Sequence, residues 1–600
     1  MQVHRGRLLV SASDIVGFHE CEHLTQLELA ALHQPLERAA PDEHAELIAH
    51  KGREFERRYL ERARAAHPDL VRIEQHARDI EEQAAATLEA MAKGVSLIHQ
   101  ATLLVDDRLG RADFLRRVDR PSKLWPWSYE VLDTKLARSP RAAFVLQLAF
   151  YSELVAKVQG TEPQYMHVVL GTYEEHSYRC AGYSRYFRRL AQRFDDAIRR
   201  GGNGAATYPN RCEHCEICHW RDHCEAQRER DDHLCLVAGI RGDQIRKLNA
   251  AGIRTVRELA SAPPETRIPK LHPETFARLR AQAAIQVRGR EKNGAENGGA
   301  APAVLFEPIL WPDGEARGLK RLPPPDEGDV YFDMEGDPLY EGGLEYLFGC
   351  VYRDEDGKFV FRAFWAHDRD EERRAFEAFM DWLTARLEQY PNAHVYHYAA
   401  YERSAIQRLA SLHATREEEM DDLLRKEKLV DLYRVVREAF RISRSSYSLK
   451  EVEKLYRPPR EGEVKTASAS VVYYERWLQT QDDALLQQIE DYNEDDCRSL
   501  AQLHHWLLEQ RPKDLPWYSH ETTAEEENGD AAAKRDAKPD PKAEAKAEEH
   551  ARKREEERRR LETVRARLYE SLPADRSEWN ARCHARELTA QLLDFHRRCD

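Results

Sequence analysis

Residues 329–337 read DVYFDMEGD, an apolar strand pattern with acidic side chains at positions 333, 335 and 337. Alternate residues of a strand face the same side, so Asp333 and Glu335 are expected next to each other. Further strand-like runs follow (YLFGCVYR, KFVFRAFWA and HVYHYA), together with amphipathic helical patterns such as ERRAFEAFMDWLTARL. These patterns predict an α/β domain over residues 304–512.

Other acidic residues of this domain extend the pattern. Glu402 lies at the start of a predicted helix in HVYHYAAYERSAIQRL, and Asp431 in VDLYRVVRE is an alternative acid. Tyr492 and Asp496 are four residues apart in DYNEDDCRSLAQL and share one side of a helix. Four converging carboxylates can hold two Mg²⁺ ions about 4 Å apart, the arrangement that cleaves phosphodiester bonds.

The order of these motifs resembles the RNase H-like DEDD 3′→5′ exonucleases over roughly residues 325–510. In the second motif this chain reads H397-Y-A-A-Y401-E402, with His for the family's Asn and Glu for its Asp. The resemblance implies that Tyr492 positions the attacking water. It implies metal binding by Asp333, Glu335, Glu402 and Asp496.

The first 230 residues mix helical and strand-like patterns and predict a second α/β domain. GRADFL places Asp113 in a short apolar run, and YEVLDTK places Asp133 and Lys135 on one face of a strand. Carboxylates of neighbouring strands can bind Mg²⁺ or Mn²⁺, and an adjacent ammonium can orient water or stabilise phosphate charge. Other candidates are the helical acid Glu56, its competitors His50 and Glu54, and the i, i+4 pair Gln147 and Tyr151.

Cysteines flank this domain. Cys215, Cys218 and Cys224 have the spacing C-x2-C-x5-C, and Cys21 lies near the amino terminus. Four thiolates can hold a [4Fe-4S] cluster or a zinc ion. A local zinc site is the alternative, with ligands from Cys212, Cys215, Cys218 and Cys224 and with His214, His219 and His223 as substitutes.

Residues 10–225 resemble the RecB-like branch of the PD-(D/E)xK nucleases, in the group with an iron–sulfur clamp. The matching text is Cys21, GREFE at 52–56, GRAD at 110–113, DTK at 133–135, QLAFY at 147–151 and CEICHWRDHC at 215–224. The resemblance implies catalysis by Lys135. It implies metal binding by Glu56, Asp113 and Asp133, and cluster ligation by Cys21, Cys215, Cys218 and Cys224. Many relatives have His where Glu56 stands, and Cys212 has no role in the pattern.

Residues 231–285 predict a small helical module, because LVAGIRGDQIRKLNAAGIRTVRELA resembles a degenerate helix-hairpin-helix. Such a turn presents backbone N–H groups to phosphate without reading bases. The expected nucleic-acid contacts are Gly239, Arg241, Gly242 and Lys247, with Arg246 nearby. The helix SRYFRRLAQRFDDAIRR at 184–200 can line a strand channel or face solvent, and solvent is favoured.

The remaining segments are expected to be a linker between domains and a carboxyl-terminal tail. Residues 286–303 contain GREKNGAENGGAAP and are expected to form a flexible linker. Residues 513–555 form a charged low-complexity segment expected to be disordered, and 556–600 regain helical periodicity. The fold class is α/β multidomain, with a PD-(D/E)xK restriction-endonuclease-like domain, a small helix-hairpin-helix-like helical module, an RNase H-like domain and a charged disordered tail.

Composition limits the function classes. The 600 residues carry 92 Lys and Arg against 106 Asp and Glu, a net charge of −14, so a nucleic-acid surface must be a local patch. No membrane span, no signal peptide and no disulfide framework is expected, and the chain is predicted to be cytoplasmic. No GxxxxGK[ST] phosphate loop occurs, although the domain order resembles proteins that continue into a superfamily 1 helicase.

The sequence therefore predicts a metal-dependent nuclease acting on single-stranded or end-bearing DNA in repair or processing. A helicase, in the same chain or in another, is the expected partner. RNA is an alternative substrate. A nucleic-acid-binding scaffold with a degenerate exonuclease domain is the alternative of a different class.

Overall fold

A computed structural model describes residues 1–75, 79–201, 207–295, 304–311, 316–458, 460, 466–517, 563–564, 566–568, 570, 572–573 and 579–592. Two compact units divide the chain, Met1–Tyr518 and Ser519–Asp600. The first unit therefore includes both predicted α/β domains and the helical module between them. The predicted low-complexity segment from 518 onward lies outside the described residues.

The first α/β domain is built on a six-stranded sheet. Its elements are β1 (Gln2–His4), β2 (Arg7–Leu9), α1 (Ala12–Glu20), α2 (Glu22–Ala31), α3 (Glu43–Ala66), β3 (Val71–Arg72), α4 (Ile80–Ala92), β4 (Leu97–Val105), β5 (Arg108–Val118), β6 (Ser128–Lys135), α5 (Ala142–Gln159), β7 (Tyr165–Leu170), β8 (Glu175–Arg179) and α6 (Cys180–Gly201).

The strand order is β3-β4-β5-β6-β7-β8, with β4, β5 and β6 antiparallel and β6 parallel to β7. Strand alternation sends Tyr129 and Val131 of β6 into the core that contains α5. Leu132 of the same strand packs with Phe55 and Leu60 of α3. The two helices therefore cover opposite faces of the sheet.

The helix α7 (Arg221–Arg230) contains Cys224, which packs with Leu27 of α2. A helical module follows, consisting of α8 (Gly242–Ala250), α9 (Val256–Ser261) and α10 (Pro273–Ala295). Buried residues such as Leu248, Leu259 and Leu279 form its core. The helix α10 continues to Ala295, so the first ten residues of the segment predicted as a linker are helical. The reason is packing, because Gln282 donates to the Ile442 carbonyl at 2.9 Å and Gly289 lies against Ser443.

The second α/β domain contains β9 (Phe306–Pro308), β10 (Val330–Asp337), β11 (Leu344–Arg353), β12 (Phe359–Trp365), α11 (Arg369–Gln389), β13 (Val395–His397), α12 (Tyr401–His413), α13 (Glu417–Arg425), β14 (Leu429–Asp431), α14 (Leu432–Ala439), β15 (Phe440–Ile442), α15 (Leu449–Val452), α16 (Ala467–Thr480) and α17 (Asp483–Gln510).

Its five-stranded sheet has the order β12-β11-β10-β13-β14, with β10 antiparallel to β11 and parallel to β13. One core packs against α11 through Phe332, Phe376 and Phe379. The other contains Tyr396 of β13 and Leu500 of α17. The central strand β10 is thus buried on both faces, and its acidic residues lie among apolar layers.

In the second unit, α18 (Ala581–Leu592) is described. No helix among the described residues combines the length and the apolar character that crossing a bilayer requires.

Candidate metal centres

The carboxylates of Asp333 and Glu335 on β10 meet that of Asp496 on α17. Their ligand oxygens all lie within 4.8 Å of one another. Glu402, the second residue of α12, lines the same cavity of about 520 Å³, as does Tyr492. Four acids were expected to converge. Three of them do so within this distance, and Glu402 lies outside the group.

Burial governs the ionisation of this cluster. Burial, followed by repulsion from Asp496, Glu335 and Glu402, raises the pKa of Asp333 well above its usual value. Burial and the charge of Asp496 raise the pKa of Glu335 to about 8. Burial also raises the pKa of Asp496, although the Arg460 guanidinium opposes the effect. Oxygen ligands that repel one another in a buried site suit a hard divalent cation.

Neighbouring side chains hold the cluster in place. Asn493 donates to Asp333 Oδ2 at 2.9 Å, and Arg460 pairs with Asp496 Oδ1 at 2.6 Å. Asn493 reaches Asp333 across Gly349, the residue paired with Asp333 on β11. A β-carbon at Gly349 would lie 1.6 Å from Asn493 Oδ1, so only glycine fits there.

In the second motif, Glu402 contacts a histidine. His397 Nδ1 lies 3.4 Å from Glu402 Oε2, and both are buried. Asp431 is not part of the cluster. Its carboxylate accepts the N–H of Ala399 at 2.9 Å and caps α14, and it lines a different cavity. Asp431 is therefore removed as an alternative metal ligand.

Two residues of the first domain reach this cavity. His44, at the start of α3, and Arg138, three residues after Lys135, both line it. Arg138 Nη1 donates to the Gly342 carbonyl at 2.6 Å. Lys51 of α3 pairs with Glu475 of α16 at 2.6 Å, close to the same face. The wall of the second domain's carboxylate cavity is therefore partly built by the first domain.

The acids of the first domain gather around β5 and β6. Asp133 is buried and ion-paired with Lys135, and its Oδ1 has no hydrogen-bond partner among the described residues. Asp113 Oδ2 accepts from the Thr134 N–H at 2.8 Å and from the Thr134 hydroxyl at 2.7 Å. Burial and the charges of Asp133 and Glu56 raise the pKa of Asp113 well above its usual value.

Glu56 approaches these acids from α3. It contacts His99 at 2.8 Å and accepts from Gln100 on β4. Burial opposes ionisation of Glu56, but these hydrogen bonds and the charge of Lys135 outweigh it and lower the pKa. His50 is exposed, and Glu54 lies 3.8 Å from Arg58 on the helix surface. The geometry thus favours Glu56 among the three helical candidates.

This second acid set is looser than the first. Among the described residues, the ligand oxygens of Glu56, Asp113 and Asp133 do not all lie within 4.8 Å of one another. Lys135 is the counter-charge: burial opposes its ionisation, but Asp133 and Asp113 raise its pKa. Gln147 Nε2 donates to the Tyr151 hydroxyl at 3.0 Å, and Tyr151 packs against Gly110. The unpartnered oxygen of Asp133 is the feature that suits a bound cation.

The cysteines assemble from both ends of the first domain. The four predicted cluster ligands, Cys21, Cys215, Cys218 and Cys224, line one small cavity with Cys212. Burial raises the pKa of Cys212 to about 12 and that of Cys224 to about 11, so these thiols are protonated without a cation.

Cys212 and His214, from the alternative zinc set, also line this cavity. Cys212 Sγ lies 3.9 Å from Cys215 Sγ. Of the histidine substitutes, His214 lines the cavity, whereas His219 pairs with Glu28 at 2.5 Å. The cysteines are not among the described groups whose ligand atoms all lie within 4.8 Å.

In the helical module, Gly239 adopts φ +72° in the turn before α8, and Gly242 is the first residue of that helix. Arg241 and Lys247 both pair with Asp243, at 3.1 and 3.0 Å. Their charges are therefore partly neutralised. Gly239 and Gly242 thus lie in and directly after the turn, and the two cations beside it already have an acidic partner.

Sequence reasoning missed the residues that position the acids. Asn493 carried a usable signal, since it lies three residues before Asp496 on the same helix. Arg460, His99 and Gln100 carried none, because each contacts an acid that is distant in sequence. Gly349 carried none, because its role is to leave room for Asn493.

Comparison with known families locates one domain. Residues 330–508 match the model of a family described as RNase_H superfamily. No curated protein matches the chain. The match supports an RNase H-like fold for the second α/β domain.

Proposed function

We propose that the chain is a metal-dependent nuclease whose RNase H-like domain hydrolyses phosphodiester bonds at Asp333, Glu335, Glu402 and Asp496. The observation that carries the proposal is the convergence of three carboxylates within 4.8 Å, inside the span that matches the superfamily. Acids held this close repel one another, and burial raises the pKa of Asp333, Glu335 and Asp496. A divalent cation between them offsets that repulsion.

The residues have distinct roles in this proposal. Asp333, Glu335 and Asp496 would hold Mg²⁺ or Mn²⁺, with Glu402 at the edge of the site. When bound, the metal polarises the phosphate and lowers the pKa of water. Asn493 fixes the Asp333 carboxylate through its 2.9 Å hydrogen bond. Burial and nearby acids raise the pKa of Tyr492, so its hydroxyl stays protonated and can donate to a water or a phosphate oxygen.

We also propose that the first domain is a second nuclease centre of the PD-(D/E)xK type. Glu56, Asp113 and Asp133 would bind the metal, Lys135 would stabilise phosphate charge, and Gln147 and Tyr151 would border the site. Support comes from the buried Asp133 oxygen without a partner and from the Lys135 ammonium beside it. The orientation of Asp113 by Thr134 also favours a fixed ligand.

A third part of the proposal concerns the cysteines. Cys21, Cys215, Cys218 and Cys224 would hold a [4Fe-4S] cluster, with zinc as the alternative. The shared cavity supports binding of one group by ligands almost 200 residues apart in sequence. Such a group would tie the two ends of the first domain together.

The substrate we propose is DNA with single-stranded segments or ends, in repair or processing, alongside a helicase. RNA is the alternative, because an acid cluster of this kind acts on the phosphodiester and not on the 2′-hydroxyl.

The experiment measures cleavage of 5′-labelled single-stranded DNA, and of RNA of the same sequence, with Mg²⁺ or Mn²⁺. We expect Asp333→Asn and Lys135→Ala each to remove one part of the activity, and the double variant to remove both. The loss at each site should be about 100-fold or more, because a divalent metal supplies several kcal/mol. The matched controls are the exposed residues Asp356→Asn and Lys358→Ala. Cleavage by the double variant at the wild-type rate would contradict the proposal.

One observation favours a binding scaffold as the second candidate. Glu402 contacts His397 and lies outside the group of three acids. The second domain therefore brings together three of its four expected metal ligands. A scaffold would retain intact DNA in a filter-binding assay with Mg²⁺, whereas the enzyme would shorten it.

A further inference from the structure

A groove of about 1140 Å³ runs between the helix α10 and the RNase H-like domain. The elements on its two sides, α10 and α14, are about 150 residues apart in sequence. The groove is distinct from the cavity that contains Asp333 and Glu335. Its cationic lining residues are Arg278, Arg317, Arg434, Arg437 and Arg441.

The acidic residues of the groove do not neutralise all of these arginines. Glu438 pairs with Arg321 at 2.6 Å and with Arg434 at 3.1 Å. The Asp431 carboxylate accepts backbone N–H groups of Ala399 and Arg434. Glu274 is almost fully exposed and lies 3.7 Å from His272. The acids are thus engaged at the sides of the groove.

Two central arginines have no acidic partner among the residues that the structure describes, namely Arg278 and Arg437. Arg441 lies 3.7 Å from Glu307, and its Nε is buried without a hydrogen-bond partner in the described part of the chain. Burial and the charges of Arg437, Arg241 and Arg441 lower the pKa of Arg278. Like charges held together in this way repel one another until an anion enters.

Two further features border these arginines. The turn at Gly239 adjoins the groove, because a β-carbon at Gly239 would lie 3.8 Å from Arg437 Nη2. Tyr433 also lines the groove, with the Arg437 guanidinium 5.8 Å from its ring centroid. Basic side chains interleaved with aromatic rings are typical of proteins that bind single strands, in which phosphates meet cations and bases stack.

The groove shares lining residues with a cavity near the acids of the second domain. Asp431 and Arg434 line both the groove and a neighbouring cavity that contains His397. His397 Nδ1 lies 3.4 Å from Glu402 Oε2. A strand held in the groove would therefore lie beside the wall of the carboxylate cavity.

We propose that this groove binds a single strand of nucleic acid. Arg278, Arg437 and Arg441 contact successive phosphates, and Tyr433 stacks with a base. The proposal rests on the proposed function only in that the bound strand is the nuclease's substrate. On a chain with a net charge of −14, such a local basic surface supplies the attraction that the whole molecule lacks.

The test measures the affinity of the full chain for a labelled 20-nucleotide single strand, as DNA and as RNA, in EDTA at several salt concentrations. The double variant Arg278→Glu with Arg437→Glu is compared with Lys358→Glu and Lys426→Glu, two exposed sites with the same charge change. We expect at least a tenfold loss of affinity for the groove variant. Its slope of log K against log salt should fall by about 1.4, because each phosphate contact contributes about 0.7 on single strands.

Each outcome decides the question. Equal affinities and slopes for the groove variant and the control would overturn the proposal. A loss with DNA only, with RNA only or with both supports it and identifies the bound polymer. Should the glutamate variant unfold, the alanine pair at the same positions gives the same comparison. Binding in EDTA does not depend on cleavage, so this test fails or succeeds independently of the nuclease assay.

Discussion

Gly349 decides whether Asn493 can reach the Asp333 carboxylate. A β-carbon at this position would overlap Asn493 Oδ1, at 1.6 Å, and Asn493 is a buried residue of α17. We expect Gly349→Ala to lower the free energy of unfolding by about 1–3 kcal/mol, the usual effect of overpacking. Cleavage at the RNase H-like site should fall as well, because Asp333 loses its hydrogen bond.

The control for this change is Gly182→Ala in α6, where an added methyl group meets nothing within 4 Å. Alanine is favoured over glycine in a helix by roughly 0.5–1 kcal/mol, so this variant should be equal to or more stable than the wild type. Urea unfolding and the nuclease assay check both variants. Wild-type stability and activity in Gly349→Ala would show that the strand pair tolerates the methyl group.

At the scale of elements, one hydrogen-bonded network joins four strands of the first sheet. His167 of β7 lies 3.0 Å from Glu130 of β6 and 3.1 Å from Glu175 of β8, and Glu175 accepts from Arg116 of β5. Hydrogen bonding to His167 and Arg116 lowers the pKa of Glu175 to about 2. Burial opposes protonation of His167, but Glu130 and Glu175 raise its pKa above 6.5.

The two shifts give a defined pH window. The contribution of Glu175 is present above its unfolded pKa of about 4.3 and is lost as the pH falls towards 2. The contribution of His167 is present below pH 6.5 and is lost as the pH rises through its folded pKa. We therefore expect Glu175→Gln to destabilise the protein by about 1 kcal/mol at pH 6 and by less at pH 8.

Urea unfolding at the two pH values tests this expectation. The neighbouring Glu174→Gln, at an exposed position, is the matched control and should have little effect at either pH. An effect of Glu175→Gln that grows between pH 6 and pH 8 would contradict the assigned direction of the His167 shift.

Some positions within these elements could be predicted from the sequence alone. Strand alternation located Asp333 and Glu335, and helical spacing placed Tyr492 with Asp496, because both are local periodicities. Glu402 needed tertiary contacts to be placed, and its pairing with His397 was not readable. The helix α10 extends past its expected end because Gln282 and Gly289 pack against another domain. The groove between α10 and α14 was invisible for the same reason, since its arginines come from distant segments.

At the scale of the whole molecule, the cysteine cavity joins the start and the end of the first domain. We expect Cys21→Ser to lose bound iron or zinc and to lower the unfolding temperature by roughly 5–10 °C, because loss of a metal exceeds the usual effect of a substitution. Metal analysis of anaerobically purified protein distinguishes iron with sulfide from zinc. Cys583→Ser, far along the chain, should change neither quantity. Full metal content in Cys21→Ser would remove Cys21 from the ligand set.

Only two residues separate Lys135, beside the acids of the first domain, from Arg138, in the wall of the second domain's cavity. A fully extended link of this length spans at most about 11 Å, so the two centres are neighbours across a short bridge of backbone. Deleting the amino-terminal half would take Arg138 and His44 with it. An isolated carboxyl-terminal half would therefore have a wider cavity entrance than the intact chain. Cleavage rates measured on that half would belong to a pocket without His44 and Arg138.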